Sequence, residues 1–424
     1  MRQRIADHPP PGPFRPTFWR SPLRGPWLTS LLGLVLLLGI GTLFVTGLLS
    51  YAAYNPDLGG NDKTPQHGLL GVFLFAWPTR PVWLYRLTQG VHVIGGLVLV
   101  PVLLAKLWSV IPRLFAWPPV RTPAQLVERA SLLLLVGGGL FEFATGIVNI
   151  QYWYVFPGSF YDLHFYGAWV FIGAFVVHVA IRLPRMVRAL RSRSLRNTLR
   201  TGVAGTRPEP VDPTGLVSPA PAPATMSRRG LLGLVAGSSA LIAVVSAGQT
   251  VGGPLRRVAL LAPRSGPYDS GPSGFAVNKT AAKRGVTARE VGARWQLELR
   301  GAGLVRLTRA DLLAMPQYTQ RLPIACVEGW STVQDWTGVR LRDLAALAGT
   351  AEPTSVLVES LQRRGGFGRA ALRRNQVLDP RSLLALQVNG ADLSLDHGFP
   401  ARVMVPNNPG VHQTKWVSTM TFRS

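Results

Sequence analysis

The stretch Arg321-Leu-Pro-Ile-Ala-Cys326-Val-Glu-Gly329-Trp330-Ser331, followed by Trp336-Thr-Gly-Val-Arg340-Leu-Arg-Asp343-Leu344, holds the only cysteine of a 424-residue chain. A single thiol excludes an internal disulfide framework and any cysteine-ligated iron–sulfur cluster. The commonest fate of a free cysteine is a buried small hydrophobe. A thiolate is also a strong donor to a metal, and a coordinated thiol is deprotonated. The flanking residues read as a loop after a strand. Gly329, shortly downstream, would let a bound group approach the backbone.

Some seventy residues on, Asp396-His397-Gly-Phe-Pro-Ala-Arg402-Val-Met-Val-Pro406 precedes Gly410-Val-His412-Gln413-Thr414-Lys415-Trp416. Lys and Arg beside backbone donors in a glycine turn make an anion site. The surroundings have the texture of a soluble domain from 255 to 424. Strands are expected at 295–300, 305–308, 355–361, 401–405 and 414–422, and a short helix at 339–347. Thr308 and Asp311 read as a helix N-cap. The mixture predicts an α+β domain.

Together the two stretches closely resemble the molybdenum-cofactor domain of the sulfite oxidase family. The resemblance implies that Cys326 is the one protein ligand of molybdenum. It implies that His397 and Arg402 bind the pyranopterin, and that Gln413, Thr414 and Lys415 seat its phosphate. Asn278 and Ser360 fall at two further family contact positions. Val277 stands where sulfite oxidases carry an arginine beside the asparagine equivalent to Asn278. The implied substrate is therefore a small oxyanion or an S- or N-oxide, with a sulfite dehydrogenase as the alternative reading. A third reading, from another class, is a cofactor-free, membrane-anchored binding module.

Toward the N-terminus the chain changes character. Hydrophobic residues make up 47% of the whole, and five apolar runs, at 27–51, 88–112, 131–153, 164–183 and 231–249, are each near the roughly 20 residues that a bilayer demands. Trp27, Tyr51, Trp83, Tyr85, Trp108, Tyr152 and Trp153 gather at their ends as an aromatic belt. The net charge of +25 lies beside these runs, which argues for membrane-flanking charge and against nucleic acid as a partner. Arg2, Arg4, Arg15, Arg20 and Arg24 precede the first run. Arg182, Arg185, Arg188, Arg191, Arg193, Arg196 and Arg200 follow the fourth. The positive-inside rule puts both groups in the cytoplasm and the C-terminal domain outside, in a multi-pass protein of a bacterial cell membrane. The Arg182–Arg200 stretch is expected against anionic lipid.

The expected organisation is a basic tail over 1–26, a four-helix cytochrome b-like membrane domain over 27–200, and a Pro-rich linker over 201–226. A signal-anchor helix over 227–249 and the molybdopterin domain over 255–424 follow. Ser227-Arg228-Arg229-Gly230-Leu231-Leu232 resembles a twin-arginine export signal, which would export the following domain already folded.

His92 in the second run, and His164 and His178 in the fourth, are costly in a membrane and read as functional. Fourteen residues rise about 21 Å and return to within roughly 40° of the same face. This arrangement resembles the di-haem cytochrome b subunits of bacterial respiratory enzymes. Here no histidine on the first three runs is left to serve His178. The reading is one b-type haem between His92 and His164 rather than two, with His178 the ligand of any second haem. Glu142, an intramembrane carboxylate, is a candidate for proton or quinone contact. The chain is thus expected to transfer an oxygen atom at molybdenum and to exchange electrons through haem with quinone.

Overall fold

A computed structural model describes residues 9–61, 73–118, 122–151, 155–211, 215–264 and 271–424. Arg2, Arg4, Tyr152 and Trp153 lie outside these. Each of the five apolar runs forms one helix: α1 (Pro26–Ala53), α2 (Leu84–Leu114), α3 (Pro123–Ile150), α4 (Phe160–Arg191) and α5 (Arg228–Val251). By length and composition all five can cross a membrane. Pro101, Pro112 and Pro184 lie inside helices, as membrane helices tolerate. Large apolar side chains point outward, Leu133 at 70% exposure among them, a surface that suits lipid and not water. Helix α4 runs past its expected apolar limit because basic residues extend helices readily. Arg182 to Arg191 complete the last turns of α4.

The chain forms two compact units. The first takes Met1–Phe44, Gly95–Ile147 and His164–Val244. Its core joins Trp27, Leu28, Leu32 and Leu36 of α1 to Leu99 and Val102 of α2 and Phe171 of α4, with Leu231 and Leu232 of α5 against it. The described residues of the Pro-rich segment form no helix or strand, yet they are held rather than free. Glu209 accepts from the Trp27 backbone N–H at 2.9 Å, and the Ala222 N–H donates to the Arg20 carbonyl at 2.8 Å. Arg228 is buried, and its guanidinium donates to the carbonyls of Pro22, Leu23 and Arg207. The first arginine of the pair therefore has a structural post in the folded protein, whereas Arg229 is exposed.

The second unit takes Val45–Ile94, Val148–Leu163 and Val245–Ser424. Ten strands make two sheets. The first is ordered β2 (Leu304–Thr308), β1 (Gln296–Arg300), β10 (Val417–Arg423), β5 (Ser355–Ser360), β6 (Arg369–Arg373). The second is ordered β3 (Tyr318–Ala325), β4 (Ser331–Arg340), β7 (Leu383–Val388), β8 (Ala391–Asp392), with β9 (Arg402–Met404) also on β7. Among the described strands only β1 and β10 pair in parallel. One core takes Leu297, Leu299, Val356 and Met420 from the first sheet and Val339, Leu384, Leu386 and Val403 from the second. Leu383, Ala385 and Met404 face a second core with Leu322, Ile324, Cys326 and Trp336. Strand β7 is thus buried on both faces, which is why Leu383-Leu-Ala-Leu shows no alternation. The strand expected before Cys326 is β3, in which Pro323 takes its place in register opposite Val333. The expected N-cap is present: Thr308 and Asp311 form a reciprocal capping box on the helix Arg309–Ala314.

Arg228→Lys, which cannot reach three carbonyls at once, is expected to lower the stability of the first unit by about 2–3 kcal/mol. Arg229→Lys should stay within about 0.5 kcal/mol. Thermal unfolding in detergent measures both, and equal midpoints would contradict the post assigned to Arg228.

Candidate functional site

Cys326 follows directly on β3, in the turn that joins β3 to β4. Its backbone N–H donates to the Trp330 carbonyl at 2.9 Å and its carbonyl accepts from Gly329 at 3.0 Å. Gly329 has φ +89°, which favours glycine. The space that its missing side chain leaves is not turned to a bound group, as the sequence suggested. A Cβ there would stand 2.7 Å from Val93 and 3.2 Å from the Gln249 amide, so the glycine makes room for α2 and α5. Gln89 of α2 donates to the Val327 carbonyl at 2.7 Å, and Thr250 of α5 donates to the Gly329 carbonyl. The cysteine turn is clamped from both sides.

The Cys326 thiol is buried and donates to the Glu328 carboxylate at 3.3 Å, which also accepts from Trp330 Nε1 at 2.7 Å. Burial first, and Glu328 second, push the thiol well above its usual range. Without a metal it is a neutral thiol; a bound cation would reverse that balance.

The second stretch comes back to this turn. Ala325 forms a parallel bridge with Pro409. Gly410 approaches so closely that a Cβ would lie 2.9 Å from the Ala325 carbonyl oxygen. The expected ligand residues Arg402, Gln413, Thr414 and Lys415 are all buried, as is His397. His397 lies flat on Phe275 at 3.9 Å, and its Nε2 pairs with the Ser273 carbonyl at 2.9 Å. Arg402 donates once, to the His397 carbonyl at 3.2 Å. Lys415 Nζ donates to the carbonyls of Lys279 and Asp396 at 2.8 and 2.7 Å. Among the described residues neither cation has an ion-pair partner. Ser360 gives its hydroxyl to the Lys415 carbonyl at 2.7 Å and accepts from the Gln362 N–H at 3.1 Å. It fixes the loop that carries Lys415. Asn278 is half-buried, and its carbonyl accepts from Arg264 at 2.8 Å.

The electrostatics favour the binding of an anion. Burial lowers the Lys415 ammonium well below its usual range, with Arg402 adding to the effect. Burial also lowers the Arg402 guanidinium. Six buried polar atoms here have no hydrogen-bond partner: Arg402 Nε, Asn408 Nδ2, both ring nitrogens of His412, Gln413 Oε1 and Thr414 Oγ1. Each such atom costs about 1–3 kcal/mol when left unmet. A cluster of them calls for a ligand. The residues therefore fit a polar heterocycle that carries an anionic tail. Asn408 and His412 belong to this set although sequence reasoning assigned them nothing; their neighbours in the quoted stretch were the available signal. Tyr54, Tyr85 and Tyr161 also reach this region, and nothing in the sequence announced that.

The histidines of the helices are placed as follows. His92 lies on α2 in the second unit, His164 and His178 on α4 in the first. His92 Nδ1 is 3.1 Å from Thr46 Oγ1. His164 Nδ1 is 3.0 Å from Glu142 Oε2 and 3.2 Å from Thr145 Oγ1. Glu142 is therefore a partner of His164. His178 is half-buried on α4.

Residues 284–424 match the family model described as oxidoreductase molybdopterin binding domain. The chain is 33% identical over 132 residues to the uncharacterized oxidoreductase YuiH of Bacillus subtilis (strain 168), covering 30% of this chain and 65% of that protein. It is 35% identical over 96 residues to the mitochondrial sulfite oxidase of Rattus norvegicus, 21% of this chain and 18% of that one. A solved structure, the sulfane dehydrogenase SoxCD from Paracoccus pantotrophus, matches at 24% identity over 31% of this chain and 38% of that chain, with a TM-score of 0.29. The chain thus spans less than two thirds of the length of the curated relatives it matches. Its C-terminal part matches a molybdopterin-binding oxidoreductase domain and is similar to sulfite oxidases. The family match begins beyond the five apolar helices.

His397 and His412 are both pushed down to about 3, by burial in each case and, for His397, next by the cations Arg402 and Lys415. Folded imidazole here stays neutral while unfolded imidazole takes a proton near pH 6.5. The cofactor-free protein should therefore lose stability as pH falls from about 6.5 toward about 3, by about 1.4 kcal/mol per pH unit for each histidine. Chemical denaturation at pH 7 and pH 5, for wild type and His412→Asn, reads the slope. The same pH dependence in both proteins would contradict a buried neutral His412.

Proposed function

We propose that this chain is a membrane-bound molybdenum oxidoreductase that reduces a small S- or N-oxide, or a related oxyanion, and exchanges electrons with quinone through b-type haem. One observation carries the reading: the unmet buried polar atoms of Arg402, Asn408, His412, Gln413 and Thr414 gather beside a stretch that bridges to the only cysteine. Cys326 would ligate molybdenum. His397 and Arg402 would hold the pterin, with Asn278 at its edge. Gln413, Thr414 and Lys415 would hold the phosphate, and Ser360 would fix their loop. When bound, the cofactor supplies two-electron exchange of an oxygen atom. The chain's own part is to present a buried thiol, to neutralise the anionic tail with Arg402 and Lys415, and to keep water out by burial.

The membrane part of the reading rests on charge and grouping. The positive-inside rule puts the C-terminal ends of α1, α3 and α5 and the N-terminal ends of α2 and α4 outside. Those are the helix ends that share the second compact unit with the catalytic domain. For haem, a ligating histidine is normally oriented by a hydrogen bond at its other ring nitrogen. Thr46 offers that bond to His92, and Thr145 with Glu142 offers it to His164. Both are therefore proposed as axial ligands of one haem, and the exported side as the place of oxygen transfer.

Purification in mild detergent, with metal and haem analysis, should find about one molybdenum and about one haem per chain. Cys326→Ser should lose turnover of dimethyl sulfoxide to background while the haem spectrum is unchanged. Full turnover in that variant, or wild type without molybdenum, would overturn the molybdenum assignment. Haem retained in full after His92→Ala, or a ratio near two, would overturn the haem assignment.

A further inference from the structure

The geometry points to a composite catalytic pocket, in which Tyr54, Tyr85 and Tyr161, brought from the ends of three apolar helices, form the substrate-facing wall above Cys326. This rests on the molybdenum reading of Cys326 and extends it to residues outside the cofactor domain. Tyr54 is the first residue after α1, Tyr85 the second of α2 and Tyr161 the second of α4. The three pack in one cluster with Ala325, the neighbour of Cys326, and with Phe367 and Val411. Tyr54 meets the His412 ring edge-on at 5.0 Å and Tyr161 at 5.7 Å. Tyr161 meets Phe367 at 5.1 Å.

The phenol groups of Tyr85 and Tyr161 lie close enough to the Cys326 sulfur to interact with it electrostatically. The hydroxyls of Tyr54 and Tyr85 are buried with no partner at hydrogen-bonding geometry. Buried phenols almost always find one. Two unmet phenols, Tyr54 and Tyr85, with Tyr161 beside them in the cluster that includes Ala325, suit an oxygen atom carried by a substrate. Tyr161 alone is half-buried, which makes it the member nearest the rim.

The wall is held firmly in place. Asn55 donates to the Ala371 carbonyl at 3.2 Å and to Gln376 at 2.9 Å, and Asp57 pairs with Arg373. The Tyr85 backbone N–H donates to Asn407 at 2.6 Å, whose amide donates to the Pro78 carbonyl at 2.6 Å. These bonds tie both helix ends to the loops that also carry His412. The phenols are then pre-organised, as donors must be to lower a barrier.

The test uses full-length protein in detergent and the variants Tyr54→Phe, Tyr85→Phe and Tyr161→Phe, which keep the ring and remove only the donor. Molybdenum content should be unchanged. The Mo(V) electron paramagnetic resonance signal of wild type should carry a coupling to an exchangeable proton that Tyr85→Phe or Tyr161→Phe removes. With dimethyl sulfoxide as probe and reduced methyl viologen as donor, kcat/KM should fall about tenfold or more per hydroxyl removed. Unchanged spectra and kinetics in molybdenum-loaded variants would overturn the wall and leave the molybdenum reading standing. Loss of molybdenum from the variants would overturn it in favour of a purely structural role. Wild type without molybdenum would overturn both.

Discussion

Two cations, Arg402 and Lys415, are buried in the catalytic domain, and among the described residues neither has an ion-pair partner. Taking a charge out of water costs several kcal/mol after relaxation, and a protein tolerates that only where a counter-charge arrives. The backbone around the pair is arranged to hold it ready. Lys415 is gripped by two carbonyls, its own carbonyl is fixed by Ser360, and Arg402 leans on the His397 carbonyl. The same electrostatic deficit keeps His397 neutral, because another positive charge there would compound the cost. Much of the second unit can be understood as the scaffold that keeps an unpaired positive site dry.

That scaffold is closed by segments far away in the chain. Asn55, Asn61, Trp77 and the Tyr85 backbone bond to Ala371 and Asn407, joining helix ends to the loops of the catalytic domain. Almost all of these are side chain-to-backbone bonds at buried positions. Such bonds specify geometry strongly, since losing one leaves a buried partner unmet. The helix ends that belong to the second unit are thus part of the packing of the catalytic domain itself. The Pro-rich segment 201–226 is itself gripped in the first unit, through Glu209 and the carbonyls that receive Arg228.

The sequence by itself determined a good deal. Five uninterrupted apolar runs could only be long apolar helices. The capping signature of Thr308 and Asp311 named its helix, and alternation named β1, β2 and β5. The two motif stretches contained the thiol and the buried cations. All of these signals are local, because they depend on spacing along the chain. Strand β7 was hidden for a local reason too: burial on both faces erases the period of two. What tertiary structure alone decided was neighbourhood. Gly329 reads as room for a ligand but receives Val93, because only packing says which atoms fill a glycine's empty side. Arg228 reads as half of an export signal but is bound to three carbonyls. Tyr85 reads as a belt residue, and Tyr54 and Tyr161 carry no signal of their own, yet the three gather in one cluster with Ala325, more than 160 residues further along the chain. A contact between residues so distant in sequence leaves no mark on either stretch, since each is compatible with many partners until the chain has folded.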